Sequence, residues 1–164
     1  MATIASSAVK ALHGMLTGGT GLGYTVAAVA AREEIRLAPI EAAQVSASMV
    51  AADLAEKTAG VTYPAVYVYC AGLHNTLKEK FRTFSGKASM VVEVRATHDR
   101  LEHVSRDLEL YTAAVTEVLD AHRGEWGEGM FYTGGYKVDY GPVKRGGRNF
   151  AQTAKITFEI DVSV

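Results

Sequence analysis

The sequence predicts an α+β fold, with N-terminal helices followed by a small mixed or antiparallel sheet of about four strands covered by one long helix. Three observations predict it. Leu101, Val104, Leu108, Tyr111, Val115, Val118 and His122 recur at three- and four-residue intervals, which lays one apolar stripe along a single helix face. Ile156, Phe158, Ile160, Val162 and Val164 alternate strictly with Thr157, Glu159, Asp161 and Ser163, the pattern of a half-buried strand. Residues 63–70 and 88–97 are rich in β-branched and aromatic side chains with the same period of two.

In chain order, residues 3–17 read as a first helix, with Ile4, Ala8, Ala11, Leu12 and Met15 forming its stripe. A glycine-rich turn follows at residues 18–23. A second helix is predicted over 24–37, ended by Pro39. The alanine-rich stretch 40–59 suggests a short extended piece at 44–49 and a short helix at 51–57 closed by Gly60. In the first strand Val66, Val68 and Cys70 face one way and Tyr67 and Tyr69 the other, with Pro64 at its start. A polar, basic segment spans 74–87. The second strand turns Met90, Val92, Val94 and Ala96 to one face and Glu93, Arg95 and Thr97 to a wet one.

The long helix should begin with Asp99 as its cap, answered by Glu102 three residues on, and end at Gly124. Residues 126–135 read as a glycine-punctuated loop with Trp126, Phe131 and Tyr132. A third strand runs through Tyr136, Val138 and Tyr140, and Gly146-Gly147 can supply the positive φ angles of a tight hairpin into the last strand. The whole forms one domain, 1–164, with a helical part at 1–60 and the sheet with its long helix at 61–164.

Composition narrows the function. With 48% hydrophobic and 21% charged residues the chain has an ordinary globular balance, and a formal net charge of -1 gives no global field for nucleic acid or an anionic membrane. The single cysteine, Cys70, excludes an intramolecular disulfide framework and suits a reducing compartment. No apolar run is long enough to span a bilayer, and the N-terminal stretch lacks a charged segment followed by a greasy core, so no export signal is predicted.

The glycine string Gly18-Gly19-Thr20-Gly21-Leu22-Gly23 has the order G-x-x-G-x-G after a helical segment. A dinucleotide fingerprint needs G-x-G-x-x-G after a strand, so a turn between helices is the expected role, and a nucleotide site its rival. His98, Asp99, Glu102 and His103 form a metal-like cluster, but histidines five apart diverge around a helix, and no metal or cofactor is expected. His13, His74 and His122 sit in no nucleophile motif, so no enzyme activity is expected. Two basic stretches remain as candidate interfaces: Lys78, Lys80, Arg82, Phe84 and Lys87 in one, and Lys144, Arg145 and Arg148 in the other.

Residues 63–69, the strand at 90–95, the long helix and the closing run Tyr136 to Tyr140, Gly146 to Phe150 and Ile156 to Val162 resemble the tail terminator (tail completion) proteins of long-tailed bacteriophages. The resemblance covers about residues 63–164 and rests on element order and strand phrasing. It implies a structural virion protein assembled in the host cytoplasm. As a hexameric ring, it would cap the tail tube protein, join the head-side connector protein at the neck and let DNA pass through its lumen. It carries over no catalytic residue. The alternative is a head–tail connector or another neck or baseplate assembly protein.

Overall fold

The computed structural model of the chain describes residues 3–50 and 61–164. The short helix expected at 51–57 lies outside the described residues. Among these, the fold has three α-helices and an eight-stranded mixed sheet curled into a half-barrel. This corrects the expectation of about four strands under a long helix. The helices are α1 (Ile4–Thr17), α2 (Leu22–Arg32) and α3 (Leu101–Ala121). The strands are β1 (Val45–Ser46), β2 (Ala65–Asn75), β3 (Ser85–His98), β4 (Gly124–Gly127), β5 (Met130–Tyr132), β6 (Lys137–Tyr140), β7 (Lys144–Gly146) and β8 (Asn149–Ser163).

The extra strands come from β8, whose long alternating sequence offers two edges. One edge pairs antiparallel with β3 along its whole length, from Ser85 opposite Ser163 to His98 opposite Phe150. The other is shared by three short strands, β5, β6 and β7. Within the expected loop 126–135, residues 126–127 and 130–132 are strand: β4 and β5 form a hairpin that extends the sheet beyond β8. At the opposite border β2 pairs with β3, and β1 adds two residues in parallel.

The inner face buries Val66, Val68, Met90, Val92, Val94, Ile156, Phe158 and Ile160 against α1 and α3. On α3 the expected stripe is buried from Val104 through Val118, whereas Leu101 stands 52% exposed. α1 begins at its cap Thr3, whose hydroxyl accepts from the Ser6 N–H (3.2 Å). Gly21 must be glycine, because a Cβ there would lie 2.3 Å from the Leu16 carbonyl oxygen. The glycine string thus lets α1 turn directly into α2.

Two helix ends depart from expectation. α2 stops at Arg32, well before Pro39. Glu34 takes a left-handed conformation (φ 55), its N–H reaching the Ala31 carbonyl and the Ile35 N–H reaching that of Ala30. These crossed bonds are a Schellman closure. The following loop is tied to α3 by Tyr111, whose hydroxyl donates to the Ala38 carbonyl (2.8 Å).

At the start of α3, Asp99 does not cap. Its carboxylate lies 2.8 Å from Nδ1 of His98, and the helix opens at Arg100 without a side-chain cap. His98 belongs to the end of β3 rather than the helix, so its ring meets that of His103 edge-on at 4.9 Å instead of diverging. At the other end His122 is the cap residue, and Gly124, although left-handed (φ 114), already begins β4.

Burial has a consequence at high pH. It is the main cause that pushes Tyr69, Tyr111 and Tyr132 from 10.0 up to about 12; the Glu93 hydrogen bond adds to it at Tyr69, and the Asp107 and Asp120 charges add to it at Tyr111 and Tyr132. A raised folded-state pKa stabilises the fold fully below the unfolded value and loses that contribution as pH rises through the folded one. Stability should therefore fall between pH 10 and about 12. Circular dichroism and phenolate absorbance recorded together should show three tyrosines ionising only as the fold is lost.

Candidate functional site

The two basic stretches lie at opposite ends of β8. The first occupies the loop 76–84 between β2 and β3, beside the C-terminal end of β8. The second occupies the β7–β8 hairpin at its N-terminal end. Fourteen residue steps at roughly 3.3 Å each put about 45 Å of strand between them. They are two surfaces, not one site.

The loop 76–84 is held at its neck. Asn75 Oδ1 accepts from the Leu77 and Ser85 N–H groups, and its amide nitrogen donates to the Thr83 carbonyl. Val164 closes the other side, its carbonyl accepting from the N–H groups of Thr83 (2.8 Å) and Phe84 (3.0 Å). The Ser163 hydroxyl donates to Glu79 (2.7 Å). Within this frame Leu77 (φ 49) and Phe81 (φ 64) adopt left-handed backbone, a conformation that costs bulky residues energy. Both present their side chains to solvent, Leu77 at 62% and Phe81 at 103% of full exposure.

The sheet register brings more exposed apolar groups to the same end. Leu73 stands opposite Ala88, Phe131 opposite Asp161, and Val164 beside Phe84. Leu73, Phe131 and Val164 are all exposed. A groove of 570 Å³ runs between the loop and the β4–β5 hairpin, lined by His74, Lys78, Lys87, Phe131 and Asp161 among others. Leu73 shares the face of Ala88 and Ile160, whereas Phe131 shares that of Lys87 and Asp161, so exposed apolar groups flank this end of the sheet on both faces, and such groups among polar ones suit a binding surface.

The predicted interface residues sort differently. Lys78 and Lys80 are exposed and make no ion pair among those described, and Arg82 pairs with Glu79 (3.6 Å). Phe84 is buried, 9% exposed, because its backbone pairs with Val164 and its ring joins the main core; it presents no surface for a partner. Lys87 belongs to β3, where Glu159 (2.8 Å) holds it and raises its pKa. Such an exposed pair adds little to stability.

At the other end Lys144, Arg145 and Arg148 are all exposed. Gly147 (φ 63) makes the tight turn, with only this first central residue left-handed, and the Arg145 guanidinium lies 5.9 Å from the Phe150 ring.

Sequence reasoning placed Phe81 in a basic segment but did not single it out, and it passed over Leu77. The signal was there, a leucine and a phenylalanine unpaired in a polar loop. It also took the outer face of the sheet as wet, yet Glu93 and Arg95 are only 6% and 5% exposed. The segments flanking 51–60 account for this, since Val50, Val61 and Tyr63 pack on Ala65 and Tyr67 of that face.

Among the described residues no group of three or more histidine, cysteine, aspartate or glutamate side chains is placed to hold a metal ion, and no helix is long and apolar enough to cross a membrane. No protein-family model and no curated protein matches the chain.

Proposed function

We propose that the chain is a structural subunit of a long-tailed bacteriophage particle, a tail terminator that closes the tail tube as a hexameric ring. The observation that carries the assembly part of this reading is the pair Leu77 and Phe81. They are held out on left-handed backbone in a hydrogen-bonded loop, beside Lys78 and Lys80, which make no ion pair among the described residues. A rigid loop that exposes bulky apolar groups is costly unless something covers them.

Two contact surfaces at opposite ends of one subunit suit heterologous packing, which closes into a ring when the rotation per subunit permits. The virion setting rests on the likeness of residues 63–164 to tail terminators. In this reading the β7–β8 hairpin meets the tail tube or the head-side connector, DNA passes through the lumen, and the chain performs no chemistry.

Negative-stain images of the purified protein, alone and mixed with tail tubes, test this. Rings of uniform diameter that seat on tube ends are expected. Reversing the charges of Lys144, Arg145 and Arg148 should abolish seating while the far-ultraviolet circular dichroism stays unchanged. A protein that stays solitary and ignores tubes overturns the reading, and rings found on the head-side portal instead would favour a connector.

A further inference from the structure

The outer face of the sheet carries a second constellation, remote from the Leu77–Phe81 loop. Its centre is Glu93, whose carboxylate accepts from the Tyr69 hydroxyl (2.8 Å) and from Nη2 of Arg95 (2.9 Å), with Nζ of Lys155 at 3.4 Å. The Arg95 guanidinium lies over the Tyr67 ring, 4.2 Å from its centroid, and its Nη2 also donates to the Val50 carbonyl. Its other two nitrogens, Nε and Nη1, are buried and find no acceptor among the described residues.

A buried N–H is almost always paired in a native protein, and a guanidinium offers five donors in a fixed fork. Arg95 leaves two of its donor nitrogens unused. The charges do not balance either: one carboxylate faces two cations, a local excess of one positive charge.

The constellation floors a groove of 580 Å³ between Val50 on one side and Pro142 on the other. Lys144, which makes no ion pair among the described residues, also lines it.

We infer that this groove is an oxyanion-receiving site, in which the excess positive charge of Arg95, Lys144 and Lys155 receives a carboxylate or phosphate group. An oxyanion there neutralises the excess charge. Nucleic acid is disfavoured as the source, because the floor is one recessed cluster of charge rather than a long track of exposed cations. The inference does not depend on the tail-terminator reading.

The test is nuclear magnetic resonance on the intact chain, following the Arg95 Nε–Hε cross-peak during titration with glutarate or with inorganic phosphate. Sodium chloride at matched ionic strength serves as the control. A saturating shift with glutarate, phosphate or both is expected, and which of them acts identifies the source chemistry. In Lys144→Gln/Lys155→Gln, with both substitutions on exposed side chains, binding should weaken at least roughly tenfold, since each lysine supplies a charge-assisted contact. A cross-peak that does not move, moves equally with chloride, or moves equally in the double variant overturns the inference.

Discussion

Truncating Phe158 to alanine should destabilise the fold by about 3–5 kcal/mol and lower Tm by roughly 10–15 °C. Phe158 is 5% exposed and stands opposite Met90 in the β3–β8 ladder. Its ring meets those of Tyr132 (5.2 Å) and Trp126 (6.0 Å), so it is the side chain that fastens the β4–β5 hairpin to the main sheet. The cavity cannot simply collapse. Tyr132 is anchored through its hydroxyl to the Gly135 carbonyl (3.0 Å), and the Trp126 ring nitrogen donates to the His122 carbonyl (2.8 Å). Urea and thermal unfolding check this, and a loss under about 1 kcal/mol would mean that the aromatic cluster is not tightly packed.

Replacing Arg95 with alanine should cost a similar amount, about 3–5 kcal/mol, for an electrostatic reason. Glu93 would keep the Tyr69 hydroxyl, but its remaining cation would be Lys155, whose side chain is 55% exposed. A buried carboxylate stripped of its buried partner is the expensive case. Replacing the pair together, as Glu93→Gln/Arg95→Met, should cost clearly less than Arg95→Ala alone, because no uncompensated charge remains. Equilibrium urea unfolding of both beside Arg95→Met, which keeps packing over Tyr67 but strands the Glu93 charge, separates this explanation from simple loss of packing: Arg95→Met should stay clearly costlier than the double variant.

What could be read from the residues follows the length of each element. α1 and β8 were legible because each repeats its period several times. The stripe of α3 was legible for the same reason, although Leu101 ahead of the first full turn is not covered. β1 falls within the extended piece expected at 44–49, but β4 and β7 have four and three residues, too few to show any period. They exist because β5 and β8 offer edges, a tertiary cause that leaves no local pattern.

Helix ends were missed where geometry replaced the usual residue. Glu34 holds the left-handed closing position of α2 that glycine normally takes, and His98 engages the carboxylate that would have capped α3. Alternation correctly put Glu93 and Arg95 on the outer face but could not say that a separate stretch of chain covers them. The candidate site was half legible. Its charges stood out in the sequence, whereas the exposure of Leu77 and Phe81 depends on how Asn75 and Val164 frame their loop.

The most direct test of subunit assembly is the solution mass of the wild-type chain beside the variant Leu77→Asp/Phe81→Asp, measured by sedimentation equilibrium. Both positions are exposed, so the variant should fold and give an unchanged circular dichroism spectrum. The wild type should sediment as one closed oligomer and the variant as a monomer. A wild type that is monomeric at every concentration, or an oligomer that the two aspartates leave intact, would contradict a contact made through this loop.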